Sequence, residues 1–163
     1  SLLPIDSISV SRISHPRDRF YTGMEIKAII KSIDYDSGRI YLSHKELLGT
    51  WEENVARFSV GQTVSGIIRS TEPYGIFIEL APNLAGLAEV KEGAVTGQTA
   101  AVYIKNIILE KMKVKLALID SYFPASAAPA QFEYFTDTAH IDRWVYSPEN
   151  SSRIIETVFG DEI

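Results

Sequence analysis

The chain has 163 residues, 45% hydrophobic and 23% charged, a globular composition with room for one ordinary domain or two small ones. Cysteine is absent, which excludes a disulfide framework, a thiolate zinc site and a cysteine nucleophile, and no apolar stretch approaches the roughly 20 residues of a membrane-spanning helix. The net charge of −5 is local: residues 1–120 set fourteen Lys or Arg against fourteen Asp or Glu, whereas residues 121–163 set Arg143 and Arg153 against seven carboxylates.

In chain order, Leu2-Leu3-Pro4-Ile5 opens a segment whose clearest features are two strands, over residues 25–34 and 39–44, joined by an Asp36-Ser37-Gly38 turn. Thr50-Trp51-Glu52-Glu53 fits a capping box and predicts a short helix over residues 51–58, with Trp51, Val55 and Phe58 on one apolar stripe. Five strands follow, over residues 60–70, 75–80, 85–90, 99–109 and 113–119, with a bend or bulge expected at Gly66 and a turn at Ala81-Pro82-Asn83. Five short strands in about sixty residues favour an OB-type barrel. Residues 124–130 read as a Pro-containing small-residue linker. Beyond it a hairpin is expected from residues 132–135 and 139–146, turning at Asp137-Thr138. Ser147-Pro148-Glu149 then predicts a helix to about Phe159, stopped by Gly160. This acidic segment is too aromatic for a disordered tail and is expected to fold back onto a barrel, where it would cover an open sheet edge.

Residues 23–43 and 97–117 repeat one pattern at a constant separation of 74 residues, from Gly23 and Gly97 onward. Ile30-Lys31-Ser32-Ile33 matches Ile104-Lys105-Asn106-Ile107, and Arg39-Ile40-Tyr41-Leu42 matches Lys113-Val114-Lys115-Leu116. Leu2-Leu3-Pro4-Ile5 stands as the counterpart of Leu87-Ala88-Glu89-Val90, so the chain is expected to begin inside a barrel with an exposed edge. The expected fold is mainly β: tandem five-stranded OB-type barrels, the first truncated, plus a small α+β C-terminal segment. Its divisions are a partial barrel (1–48), a linker helix (49–59), a complete barrel (60–120) and an acidic aromatic segment (121–163).

Signals for catalysis are poor. There is no glycine-rich phosphate loop and no nucleophile elbow. His15, His44 and His140 are isolated, and His140-Ile141-Asp142 would put one imidazole and one carboxylate on a strand face, too little for a metal site. Neither an enzyme, nor a cofactor, nor a metal is expected. The acidic total argues against tight duplex binding, which rests on neutralising phosphates, but leaves room for a local basic face.

Single strands lie across OB barrels where bases stack on aromatic rings and phosphates meet cations. Tyr74-Gly75-Ile76-Phe77 supplies two rings at the start of the second strand; regular alternation would send them to opposite faces, so a kink at Gly75 is expected to bring both outward. The alternative buries Phe77 in the barrel and leaves Tyr74 on the rim. Lys113 and Lys115 alternate with Val114 and Leu116 and face solvent, as solubility devices or as phosphate contacts, and Arg69 ends the first strand.

With these residues in view, residues 61–80, Gly86-Leu87 and residues 97–116 resemble the S1 RNA-binding domain, the OB-fold module repeated in bacterial ribosomal protein S1. Ile33-Asp34 and Gly38-Arg39-Ile40-Tyr41-Leu42-Ser43 resemble that module's closing motif. The resemblance covers residues 2–120 and implies that Tyr74 and Phe77 form the stacking platform, that Lys113 stands for the module's terminal-strand Arg, and that Asp34 and Arg39 hold the acidic and basic positions of the first copy. Glu89 replaces a frequent His, and Leu109 falls near the module's Asp. At about 4 Å from a phosphate a carboxylate opposes binding by roughly 1 kcal/mol in water-like surroundings, so weakened or altered RNA preference is expected.

The resemblance implies a non-enzymatic, cytoplasmic translation protein that binds single-stranded RNA such as mRNA through Arg69, Tyr74, Phe77, Lys113 and Lys115, with the ribosome as a partner and no membrane. The alternative is a structural or protein-interaction barrel, with residues 132–159 as partner surface or as a mask over the RNA face.

Overall fold

β-branched residues at alternate positions build a closed barrel in the second half of the chain. In this computed structural model, which describes residues 1–11, 13, 15–123, 132, 134–136 and 140–159, the barrel comprises β3 (Thr63–Glu72), β4 (Gly75–Ala81), β5 (Leu84–Ala88), β6 (Thr99–Ile108) and β7 (Lys113–Tyr122). They follow β1 (Ile29–Asp34), β2 (Arg39–Ser43) and the helix α1 (Trp51–Val55), and precede β8 (Arg143–Val145) and β9 (Glu156–Val158). The barrel order is β3-β4-β5-β7-β6, with β6 returning to β3; β5 and β7 run parallel and the other pairs antiparallel. Ile68, Ile76, Ile78, Val102, Ile104, Val114 and Leu116 point inward and are buried.

Closure needs bends, and bulges supply them. The pairing of β3 with β4 slips at Arg69, and that of β6 with β7 slips at Lys105. The bulge expected at Gly66 is therefore three residues further on. Gly66 serves close approach instead. A Cβ there would lie 2.6 Å from the Glu79 carbonyl oxygen, so only glycine lets the two strands come together.

The repeat in the sequence is a repeat in register. Ile29 pairs with Ser43, Ile30 with Leu42, Ser32 with Tyr41 and Asp34 with Arg39, skipping Lys31. Seventy-four residues on, Tyr103 pairs with Ala117, Ile104 with Leu116, Asn106 with Lys115 and Ile108 with Lys113, skipping Lys105. Leu2 bridges Tyr41 in parallel, as Leu87 pairs in parallel with Lys115. Among the described residues the first copy amounts to this two-stranded sheet and its Leu2 bridge, and one barrel is closed.

Between the copies, α1 carries the expected capping box, with Glu53 N–H donating to Thr50 Oγ1 (3.2 Å) and Thr50 N–H to Glu53 Oε1 (2.9 Å). The helix ends at Val55, three residues short of expectation, but Trp51 and Val55 are buried in the barrel's core and Phe58 packs against it.

The C-terminal segment departs from its sequence reading. The strands that pair are β8 and β9, Trp144 opposite Thr157, and residues 147–159 form a loop and a strand instead of a helix. The Ser-Pro-Glu start signal is outweighed by Ile154, Ile155, Thr157 and Val158, which lose side-chain freedom in a helix and suit a pleated surface. Burial from Ile155 to Phe159 alternates with period two: Thr157 and Phe159 face in, Glu156 and Val158 out. The expected linker (124–130), the Asp137-Thr138 turn and Gly160 lie outside the described residues.

Part of this segment packs into the interior. Trp144, Tyr146 and Phe159 belong to the same core as the barrel and α1. Phe135 N–H donates to the Leu47 carbonyl (2.9 Å). Phe20, Phe132 and Tyr134 place their rings edge-on to His44, with the nearest centroid at 4.8 Å. His44 Nε2 meets the Tyr134 hydroxyl at 3.0 Å, and burial, with Arg19 nearby, pulls its imidazole down to about 4. The Glu46 carboxylate, also buried, accepts from the hydroxyls of Ser43 and Thr157.

Asn83, fully buried in the β4–β5 turn, ties these parts together. Its Oδ1 accepts from Val10 N–H (3.1 Å), and its Nδ2 donates to the carbonyls of Lys45 (2.7 Å) and Gly49 (2.9 Å). Its backbone carbonyl accepts from the Tyr146 hydroxyl (2.5 Å), whose phenol burial pushes well above the usual tyrosine range.

Asn83→Ala leaves one buried donor and two buried acceptors unpaired, so it should lower stability by roughly 3 kcal/mol, read as a lower urea midpoint at unchanged m-value; a loss below the error of the fit would show that the amide is not the tie. His44 binds a proton less readily folded than unfolded. Its contribution is therefore full above about pH 6.5 and lost as pH falls toward 4, on the order of 3 kcal/mol. His44→Leu should flatten the urea-midpoint profile across that window, and an unchanged slope would place the titration elsewhere.

Candidate nucleic-acid interface

The hairpin joining β3 to β4 sets the two candidate rings. Glu72 pairs with Gly75, which leaves Pro73 and Tyr74 as a two-residue turn. Tyr74 therefore lies outside the strand's alternation, and no kink is needed to bring it beside Phe77. Ile76 and Ile78 face the core, so Phe77 faces out, and the rings meet edge to face with centroids 6.0 Å apart. Tyr74 is 67% exposed and Phe77 half-buried, so the reading that buries Phe77 inside the barrel is excluded. Gly75 permits the close packing of this corner: a Cβ would stand 2.7 Å from the Ala88 carbonyl oxygen and from Leu87 Cδ1.

Register carries the site across the outer face. Ser70 pairs with Phe77, Phe77 with Leu87, Leu87 with Lys115, and Lys115 with Asn106. Lys113 and Lys115 are exposed on either side of buried Val114. Tyr74, Phe77, Lys113 and Lys115 therefore occupy one barrel face. A groove of about 570 Å³ runs beside the two rings, with Arg69, Ser70 and Thr96 among its walls.

Arg69 borders that groove but is already engaged. Its Nε and one terminal nitrogen both donate to Glu79 Oε2 at 2.8 Å, and Arg19 holds the other carboxylate oxygen of Glu79. Arg19 also donates to the Pro82 carbonyl (3.2 Å). Burial draws the Arg19 guanidinium down to about 9, with Arg69 adding to the effect and Asp18 opposing it; burial likewise lowers Arg69. Both guanidiniums are turned onto the Glu79 carboxylate. This triad escapes a sequence reading because Arg19 lies 60 residues from Glu79. The available signal was Glu79 itself, a carboxylate in an otherwise apolar strand.

Asp34 and Arg39 lie elsewhere, opposite each other at the end of the β1–β2 hairpin. Asp34 shapes the turn: hydrogen bonds from the Ser37 side chain and backbone, then from Asp36 N–H (3.1 Å), hold its carboxyl below the usual range. The register equivalent of Asp34 in the barrel is Ile108, not Leu109, because the shared bulge keeps the separation of 74 residues intact. Glu89 is 3.6 Å from Lys105 Nζ, so its charge is paired.

His140 and Asp142 meet at 2.7 Å in an exposed stretch preceding β8, not on a strand face. His15 caps a 3-10 turn, Pro16–Asp18. Among the described residues no three His, Asp or Glu side chains gather into a metal site, and no helix is long and apolar enough to cross a membrane.

No family model matches the chain. It is 36% identical over 93 residues to the small ribosomal subunit protein bS1 of Chlamydia muridarum, covering 56% of this chain and 16% of that protein. Against the small ribosomal subunit protein bS1 of Staphylococcus aureus (strain MRSA252) it is 27% identical over 174 aligned positions, covering 99% of this chain and 43% of that one. The chain thus spans less than half the length of the curated relatives it matches. Together with the closed five-stranded barrel, these likenesses support an S1-like family for this chain.

Proposed function

We propose that this chain binds single-stranded RNA on the outer face of its closed barrel, as part of a cytoplasmic S1-like translation protein that works with the ribosome. The observation that carries the reading is the Tyr74–Phe77 ring pair standing on the face that also carries Lys113 and Lys115. Aromatic faces accept any base, at about 1–3 kcal/mol per stacked base, and the lysines supply backbone contacts. The activity is binding, with no chemical step, cofactor or metal. The matched registers of β1–β2 and β6–β7 support residues 1–48 as a partial second copy, with Arg39 where the barrel has Lys113. The acidic total of the chain does not oppose this, because the excess carboxylates lie beyond residue 120.

The test is fluorescence anisotropy of a labelled twelve-nucleotide RNA titrated with the chain at two salt concentrations. Tyr74→Ala and Phe77→Ala should each weaken binding by about tenfold, the loss of one stacking partner. Lys113→Gln with Lys115→Gln should flatten the slope of log affinity against log salt by about 1.4, for two phosphate contacts on a single strand. Arg69→Met should leave affinity within about twofold, since Glu79 already holds that guanidinium. Absence of binding by the folded chain at low salt would overturn the proposal and leave a structural or protein-interaction barrel.

A further inference from the structure

Beside the ring pair stands a hydrogen-bonding group that the stacking platform does not use. Continuing the pairing of Ile76 with Ala88 by one step sets Glu89 opposite Gly75, next to Tyr74. Ala88 is buried and Glu89 is 89% exposed, so the Glu89 carboxylate projects from the face that carries Phe77 and Leu87. Gly75 packs directly against the Ala88 carbonyl and the Leu87 side chain, which brings residue 89 close to the turn that carries Tyr74. Lys105, at the β6 bulge, approaches Glu89 to 3.6 Å while remaining half exposed itself. The pair is neutral, so it does not repel a phosphate backbone as an isolated carboxylate would.

We propose, resting on the RNA-binding reading above, that Glu89 and Lys105 make this platform selective for guanine. A carboxylate offers two adjacent acceptors, and single-stranded bases are read along their Watson–Crick edges once stacked. Guanine alone among the four bases presents two adjacent donors there, N1–H and the N2 amino group, with the O6 acceptor beside them. Glu89 takes the two donors and the Lys105 ammonium takes O6, so the pair matches the whole edge. Adenine and cytosine each set a ring-nitrogen acceptor against the carboxylate, and uracil flanks its one donor with two carbonyls. The first copy lacks this device: Lys31 stands at the same bulge, but Pro4 holds the position equivalent to Glu89.

The experiment compares four labelled twelve-residue oligouridylates, one unmodified and the others carrying guanosine, inosine or adenosine at one central position. Binding to the wild-type chain and to Glu89→Gln, Lys105→Met and Tyr74→Ala is read by anisotropy. Wild type should favour the guanosine strand over the adenosine and unmodified strands by roughly tenfold, the worth of a bidentate base contact. Inosine, which keeps N1–H and O6 but lacks the amino group, should fall between. Glu89→Gln should abolish the preference while still binding the unmodified strand, because an amide cannot accept from both donors. Lys105→Met should reduce it. Equal affinity of wild type for all four strands, with binding still lost in Tyr74→Ala, overturns the guanine assignment and leaves the platform standing. A guanosine preference that survives in Glu89→Gln overturns the residues assigned. No binding to any strand overturns both readings.

Discussion

The arrangement of this chain hangs on one buried carboxamide. Asn83 sits in the turn between β4 and β5, and its side chain is bonded to the N-terminal segment at Val10 and to the stretch between β2 and α1 at Lys45 and Gly49. Tyr146 of the C-terminal hairpin closes on its carbonyl. Left unpaired in the interior, each of these groups would cost about 1–3 kcal/mol, so the four segments position one another. The consequence reaches the outer face of the barrel, because the strands that this turn joins carry Phe77, Glu79, Leu87 and, just beyond β5, Glu89. A site on strands whose connecting turn is pinned by buried hydrogen bonds keeps its geometry better than one on a free loop.

Electrostatics divides the cations into two kinds. Arg19 and Arg69 share Glu79 in a largely buried triad, where breaking one partner leaves an uncompensated charge, so their positions are fixed by desolvation. Lys113 and Lys115 stand exposed on β7, and their ammonium groups are strongly hydrated at the ends of flexible stems. Fixed, paired arginines hold the N-terminal segment against the barrel, while loose lysines suit a strand of variable sequence that slides across a face. A count of basic residues in the sequence treats both kinds alike.

What the sequence made legible follows from where each signal is local. The barrel strands are short runs rich in Ile, Val and Leu between Gly and Pro punctuation, and their cores emerge within two or three residues of the expected bounds. The Ile-Lys-x-Ile repeat predicts a shared register, down to the skipped lysine. The C-terminal segment misleads because its helix-start signal is local while its pairing is not: β9 finds β8 across a loop, and Thr157 finds Glu46 from 111 residues away in the chain. Tyr74 escapes the alternation rule because the turn consists of Pro73 and Tyr74 themselves. Arg69 reads as a free cation in the sequence because its acid lies on the neighbouring strand and the arginine that shares it lies in the N-terminal segment.

The two copies of the closing hairpin separate scaffold from chemistry. β1–β2 keeps the register of β6–β7, including a bulge at Lys31 that matches the one at Lys105. What differs is the neighbour: Glu89 comes within 3.6 Å of Lys105, whereas Pro4, at the position equivalent to Glu89, offers no charge to Lys31. A repeated hairpin can thus keep its register and its bulged lysine while the residue beside that lysine varies.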